Sequence, residues 1–331
     1  LKDAGVTYLE EMYKLTKAVW YKAQVDRDVQ EVMEAVRQIP DVLVAEYDYA
    51  YSASGIADAE EISSEVLGNG QVQNQWYLKS CGVQSAWKNY NHGVNTVVAV
   101  IDTGVDYSHE DLKDNMWTNI FEISNDGIDN DGNGYVDDIH GWDCVGDDKD
   151  PMDDNGHGTH VAGISAANPV EGSPVKGMAP DAQLVVMQVF QSTGGANWAT
   201  IMAAMEDCIR LDVDAANLSL GAAAGFTDPD DAMLETMNLF LDSDVQVIIA
   251  SGNDTNNALM NLWGGNVSLI TNPDTGLVGT PATYSSAMTV ASANNNGDMM
   301  LYFTLNGTEY GFSDTAATAA TNFLQNFQNQ T

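Results

Sequence analysis

Four near-continuous apolar runs, residues 96–101, 183–190, 215–220 and 245–250, are separated by stretches of helical periodicity over 197–211 and 230–241. A strand that is apolar at successive positions has no polar face to offer water, so it must be covered on both sides. Sheets covered on both sides are mostly parallel, with helices as their crossovers. The pattern therefore predicts an α/β fold, a parallel sheet with helices on both faces. At 331 residues and 44% apolar content the chain can bury a full-sized core, with one large domain and one smaller one.

Residues 1–52 carry a pattern of their own. Helical spacing over 8–17 precedes a strand, Val19–Val25; a second helix then presents Val29, Val32, Met33 and Val36 on one face and stops before Pro40. Alternation over 42–49 predicts a final strand. Such a unit suits a small α+β module, and a ferredoxin-like binding module shares its pattern. Residues 53–70 are acidic, small and aperiodic, as a linker is, and the main domain spans 71–298. Residues 299–331 hold a further strand pair, over 301–305 and 311–316.

Charge removes whole classes of partner. Twelve basic residues against 48 acidic ones give a net charge of −36, which repels nucleic acid and anionic membranes. No apolar stretch reaches the roughly 18 residues a membrane span needs. Three cysteines, Cys81, Cys144 and Cys208, form an odd set without CxxC spacing, which argues against a disulfide framework or a zinc site. Cys208 falls on the helical apolar pattern of Ile201, Met202, Met205 and Ile209, so a buried thiol is expected there. Acidic residues concentrate between Asp102 and Asp154, which suits cation binding.

Three short strings carry the chemistry. Asp102 ends the run Val97-Val98-Ala99-Val100-Ile101 and precedes Thr103-Gly104, which places a carboxylate at the carboxyl end of a central strand, where α/β sheets build their sites. Such an aspartate serves a catalytic triad, a phosphate or a metal; an aspartic protease would need a β-rich chain. In Asn155-Gly156-His157-Gly158-Thr159-His160-Val161-Ala162-Gly163, small residues let a helix start close to neighbouring backbone. His157 and His160 are three apart with no glutamate between, unlike the HExxH zinc pattern. Asn253 follows the strand-like Ile248-Ile249-Ala250 and Ser251-Gly252, in a position that also reads as a plain turn. Between the first two strings, Asp129, Asp131 and Asn133 alternate before Gly134, with Tyr135 offering a carbonyl and Asp137 a further carboxylate, a spacing that wraps oxygen ligands around calcium. The twelfth position is His140 rather than glutamate, so this is not a complete EF-hand.

Taken in order, the three strings resemble the subtilisin-like serine proteases. The resemblance implies Asp102 as triad acid, His157 as base, Asn253 as oxyanion donor and a structural role for His160. It also implies that Ser219, Leu220, Gly221, Ala250, Ser251 and Gly252 flank a peptide substrate bound as an added strand, and that calcium is the only cofactor. Residues 1–52 are similar to the propeptide of such enzymes, an intramolecular inhibitor, here without its first strand. Residues 75–78 and 85–87 resemble the start of the mature domain, with a processing site in the linker. A secreted or cell-surface location follows from the same resemblance.

The family's nucleophile lies in a Gly-Thr-Ser-Met-Ala-like string, and this sequence has none. Ser285 and Ser286 run into a strand pattern, Ser313 lacks the glycine-threonine lead-in, and neither segment is assigned. The strand pair near the end is similar to the lead-in of a protease-associated domain in the lactocepin-like cell-envelope proteinases, which would place the serine beyond Thr331. The expectation is an endopeptidase whose 331-residue piece is inactive alone. The alternatives are a catalytically dead peptide-binding module with a calcium loop and an acidic calcium-binding surface module.

Overall fold

The computed structural model describes residues 1–14, 19–40, 42, 45, 50–53, 75, 77–78, 81–89, 92–168, 175–192, 195–222, 227, 232–253, 278–292, 301–305 and 308–312. The chain forms two compact units, residues 1–291 and 292–331.

The first unit is built on a six-stranded sheet. In chain order its strands are β4 (Val97–Asp102), β5 (Gly141–Asp143), β6 (Gln183–Gln188), β8 (Ala215–Leu218), β10 (Gln246–Ala250) and β11 (Met288–Val290). In space they run β11-β10-β8-β4-β6-β5, and every pairing is parallel. Three helices form crossovers: α3 (His157–Ala166), α4 (Trp198–Arg210) and α5 (Ala232–Leu241). The strand residues divide between two cores. Ala99, Ile101, Val185, Met187, Leu218 and Ile249 pack with Ile201, Met205, Met233 and Met237 from α4 and α5. Val100, Leu184 and Val186 pack on the opposite face with Ala162 and Ala166 from α3. Successive strand residues point to opposite faces, so the unbroken apolar runs are what two covered faces require.

From β4 the chain moves outward to β5, returns to β6 beside β4, and then crosses to β8 on β4's other side. The carboxyl end of β4 therefore sits where connections leave in opposite directions, the place where open α/β sheets form clefts.

Ahead of the sheet, β1 (Val6–Lys14) and β2 (Val19–Val25) form an antiparallel hairpin, followed by α1 (Val29–Val36). The Asp28 carboxylate caps α1 by accepting from the Gln30 and Glu31 amides. Val32 and Val36 of α1 bury themselves with Val6, closing a small separate core. The helix expected over 8–17 is thus a strand over its described part. Register shifts between Val6 and Tyr8 and between Glu11 and Tyr13 insert extra residues. The apolar spacing Tyr8, Leu9, Met12, Tyr13 reads as helical in the sequence, although pairing with β2 puts Tyr8 and Leu9 at successive strand positions. Of the strand expected over 42–49, only Val42 and Ala45 are described, and neither is in a strand. Helix α2 (Val83–Asn89) precedes β4.

A third sheet lies within the same unit. β3 (Ala50–Ala53) is its middle strand, between β7 (Gly195–Asn197) and β9 (Leu220–Gly221). Both pairings are antiparallel, with Tyr51 opposite Ala196 and Ser52 opposite both Gly195 and Gly221.

In the second unit, β12 (Leu301–Leu305) and β13 (Thr308–Phe312) form an antiparallel hairpin. Its second strand begins three residues before the expected 311, and residues 313–316 lie outside the described residues.

Candidate active site

β4 delivers Asp102 into full burial at its last position. The carboxylate meets His157 there: Asp102 Oδ1 and His157 Nδ1 are 2.6 Å apart, and the Thr103 amide donates to the same oxygen at 2.7 Å. An ionised carboxylate can only accept, so the shared proton belongs on Nδ1 and Nε2 is left as the basic nitrogen. Asp102 Oδ2 is buried and has no hydrogen-bond partner among the described residues. That oxygen adds negative charge beside an imidazole that gains charge on protonation.

His157 opens α3, on an N-cap glycine, Gly156, with φ of 101°. Close packing fixes the helix end. A Cβ on Gly158 would lie 2.0 Å from the Gly104 carbonyl oxygen, so only glycine lets α3 start against the end of β4. The Gly158 amide donates to Thr103 Oγ1 at 2.9 Å, and Thr103 Oγ1 donates to Asp153 Oδ1 at 2.9 Å. Burial works against the charge of Asp153, but hydrogen bonds from the Thr159 hydroxyl and the Gly156, Asn155 and Thr159 amides outweigh it and hold its pKa below the ordinary value. His160, on the same helix, is exposed. Thr103, Asp153 and Thr159 were not among the expected site residues; an aspartate just ahead of a glycine-opened helix is the signal for the capping role.

The segments expected to flank a substrate gather at the same edge of the sheet. Leu220 and Gly221 form β9, whose partner is β3. Ser219 Oγ accepts from the side-chain Nδ2 of Asn217 at 3.0 Å. Ala250 ends β10; the Ser251 amide donates to Val290 and its carbonyl accepts from Gly279. Ala222 and Thr280 exchange both backbone hydrogen bonds, which joins residues 219–222, 250–252 and 278–280. Gly252 has φ of 98°, and Asn253 beyond it is exposed. Two strand spacings, about 10 Å, separate β10 from β4. β7 comes from a segment without an apolar run, which is why sequence alone left it out.

The acidic loop between β4 and β5 folds on its own carboxylates. Oxygens of Glu122, Asp129 and Asp131 lie within 4.8 Å of one another. Asp129 accepts from the Gly132, Asn133 and Gly134 amides, Glu122 from those of Asn130, Asp131 and Asp137. Asn133 uses its oxygen on the Tyr135 amide. The Asp137 carboxylate instead accepts from Lys149 Nζ at 3.0 Å and from the Asp126 and Gly127 amides. Burial, with repulsion from Asp131 and Glu122, pushes the pKa of the neighbouring Asp138 up to about 6 against hydrogen bonds from Asn133 and Asn119.

Sequence comparison agrees with this geometry. The chain is 28% identical over 325 residues to the minor extracellular protease Epr of Bacillus subtilis, covering 98% of this chain and 41% of that protein. It is 34% identical over 232 residues to a PII-type proteinase of Lacticaseibacillus paracasei, covering 64% of this chain and 12% of that one. A stretch of 153 residues is 35% identical to subtilisin-like protease 1 of Plasmodium berghei, covering 45% of this chain and 26% of that protein. The chain thus spans well under two thirds of the length of these relatives. The model of the subtilase family, Peptidase_S8, matches residues 93–322, a segment that holds the buried Asp102–His157 pair and the six-stranded sheet; the chain belongs to the subtilase family.

Proposed function

We propose that the protein is a subtilisin-like serine endopeptidase acting on protein or peptide substrates. The observation that carries this reading is the 2.6 Å contact between buried Asp102 and His157 at the end of β4. In the proposed reaction His157 Nε2 takes the proton of a serine hydroxyl as that oxygen attacks the scissile carbonyl. Asp102 holds the Nδ1 proton, fixes the tautomer and stabilises the imidazolium; Asn253 donates to the oxyanion; His157 then protonates the leaving amine. The serine is assigned to sequence outside these 331 residues, so that the 331-residue chain alone does not cleave.

β3 supports a second part of the proposal. An extended segment held antiparallel on both sides, between β7 and β9, occupies the groove as a substrate would, through backbone bonds that any sequence can supply. Residues 1–52 then act as an intramolecular inhibitor. Calcium is proposed as a structural ion of the acidic loop. The converging oxygens of Glu122, Asp129 and Asp131, with Asn133 and the Tyr135 carbonyl nearby in sequence, are the hard donors it prefers. When bound, calcium would supply a cross-link and offset the repulsion among these carboxylates. A secreted or cell-surface location is proposed from the extracellular relative; no helix among the described residues is long and apolar enough to cross a membrane.

The test is labelling by a serine-directed phosphonate in protein that carries the natural sequence after Thr331. Wild type is expected to label at one serine, with Asp102→Asn and His157→Ala slowing labelling at least about a hundredfold. Folded, calcium-loaded, processed protein that does not label would instead support a peptide-binding module without catalysis.

A further inference from the structure

The Asp153 carboxylate gathers five donors. Oδ1 accepts from the Thr103 hydroxyl at 2.9 Å and from the Asn155 and Gly156 amides at 3.0 and 2.9 Å. Oδ2 accepts from the Thr159 amide at 2.9 Å and from its hydroxyl at 2.5 Å. Thr103 follows the acid in sequence and Gly158 follows the base, and Thr103 Oγ1 accepts from the Gly158 amide. A continuous path of hydrogen bonds therefore ties the end of β4 to the first turn of α3 from behind the Asp102–His157 pair. Thr159 Oγ1 extends the path by accepting from the Asp106 amide at 2.9 Å.

We infer that Asp153 is the positioning residue of the acid–base pair, setting the His157–Asp102 distance through Thr103 and Gly158; this rests on the protease reading of that pair. Two structural facts carry the inference. The pair's own bond, at 2.6 Å, joins side chains on different elements, so its length depends on how α3 is seated on β4. Gly156, the N-cap of α3, offers no side chain to hold the first turn, and Asp153 takes that place with charge-assisted bonds. A shift of α3 by about 1 Å would take the Asp102–His157 contact out of hydrogen-bonding range.

The experiment is proton NMR of the full 331-residue chain with nitrogen-15 histidine. A strong Nδ1–H···O bond gives a far-downfield proton protected from exchange. Wild type is expected to show this signal for His157. Asp153→Ala and Thr103→Val are expected to lose it while circular dichroism stays native, whereas Thr103→Ser, which keeps the hydroxyl, retains it. A folded Asp153→Ala protein whose signal is unchanged overturns the inference. If Asp153→Ala does not fold, the threonine pair decides: loss in Thr103→Val with retention in Thr103→Ser supports the inference, and retention in both overturns it. A folded wild type without the signal would instead contradict the Asp102–His157 pairing itself, and the protease reading with it.

Discussion

Asp102 and Glu206 are both buried carboxylates, and their surroundings give them different work. Asp102 spends one oxygen on the Thr103 amide and His157. Glu206, inside α4, has Oε1 without a partner among the described residues, and Arg210 Nη2 lies 3.9 Å from Oε2, beyond a good hydrogen bond. Burial, only partly countered by Arg210, pushes its pKa up to about 7. A carboxyl whose folded pKa exceeds the unfolded value of 4.5 contributes its stability below that value, and loses it as pH rises from there towards about 7. Glu206→Gln is therefore expected to raise stability at pH 8 by about 1–2 kcal/mol and to change little at pH 4.5, measured by urea unfolding at both values. At this scale much of the site was legible in the sequence: Asp102 and His157 sit in strings whose glycines advertise close backbone approach. Asp153 was not singled out because its place just ahead of a glycine-opened helix, a capping signal, is shared with acidic neighbours such as Asp154; its five donors set it apart.

Elements were legible where one rule governed them. The apolar runs became β4, β6, β8 and β10, and the helical stretches became α4 and α5, because two-faced burial and helical periodicity leave distinct patterns. β1 failed that test, since its apolar spacing is helical while pairing with β2 makes it a strand. β3 had no pattern to find: four residues, Ala50–Ala53, become a strand because two edges, β7 and β9, are there to receive them. Ser52 is paired on both sides, so Ser52→Pro removes a donor from the middle of a sheet. An extended peptide added in trans should then compete for the groove and bind about tenfold more tightly than to wild type by fluorescence anisotropy.

Across the whole molecule, a net charge of −36 means that folding compresses like charges, most densely in the loop that brings Glu122, Asp129 and Asp131 together. If calcium binds there, chelation should lower the melting temperature, and saturation at about a hundred times Kd should restore about 2.7 kcal/mol. Asp129→Ala should abolish that calcium response, read by calorimetry; a melting temperature indifferent to chelator would rule against calcium as a structural ion of this loop. β3 runs antiparallel to β9 and ends with Ala53 opposite Leu220, two residues from Leu218, which pairs with Ile101, the residue before Asp102. N-terminal sequencing of the processed protein, expressed with its natural sequence after Thr331, puts the protease reading to its hardest trial. A new terminus is expected within a few residues after Ala53, absent in His157→Ala. A terminus before Ala50, or equal processing in His157→Ala, would contradict it.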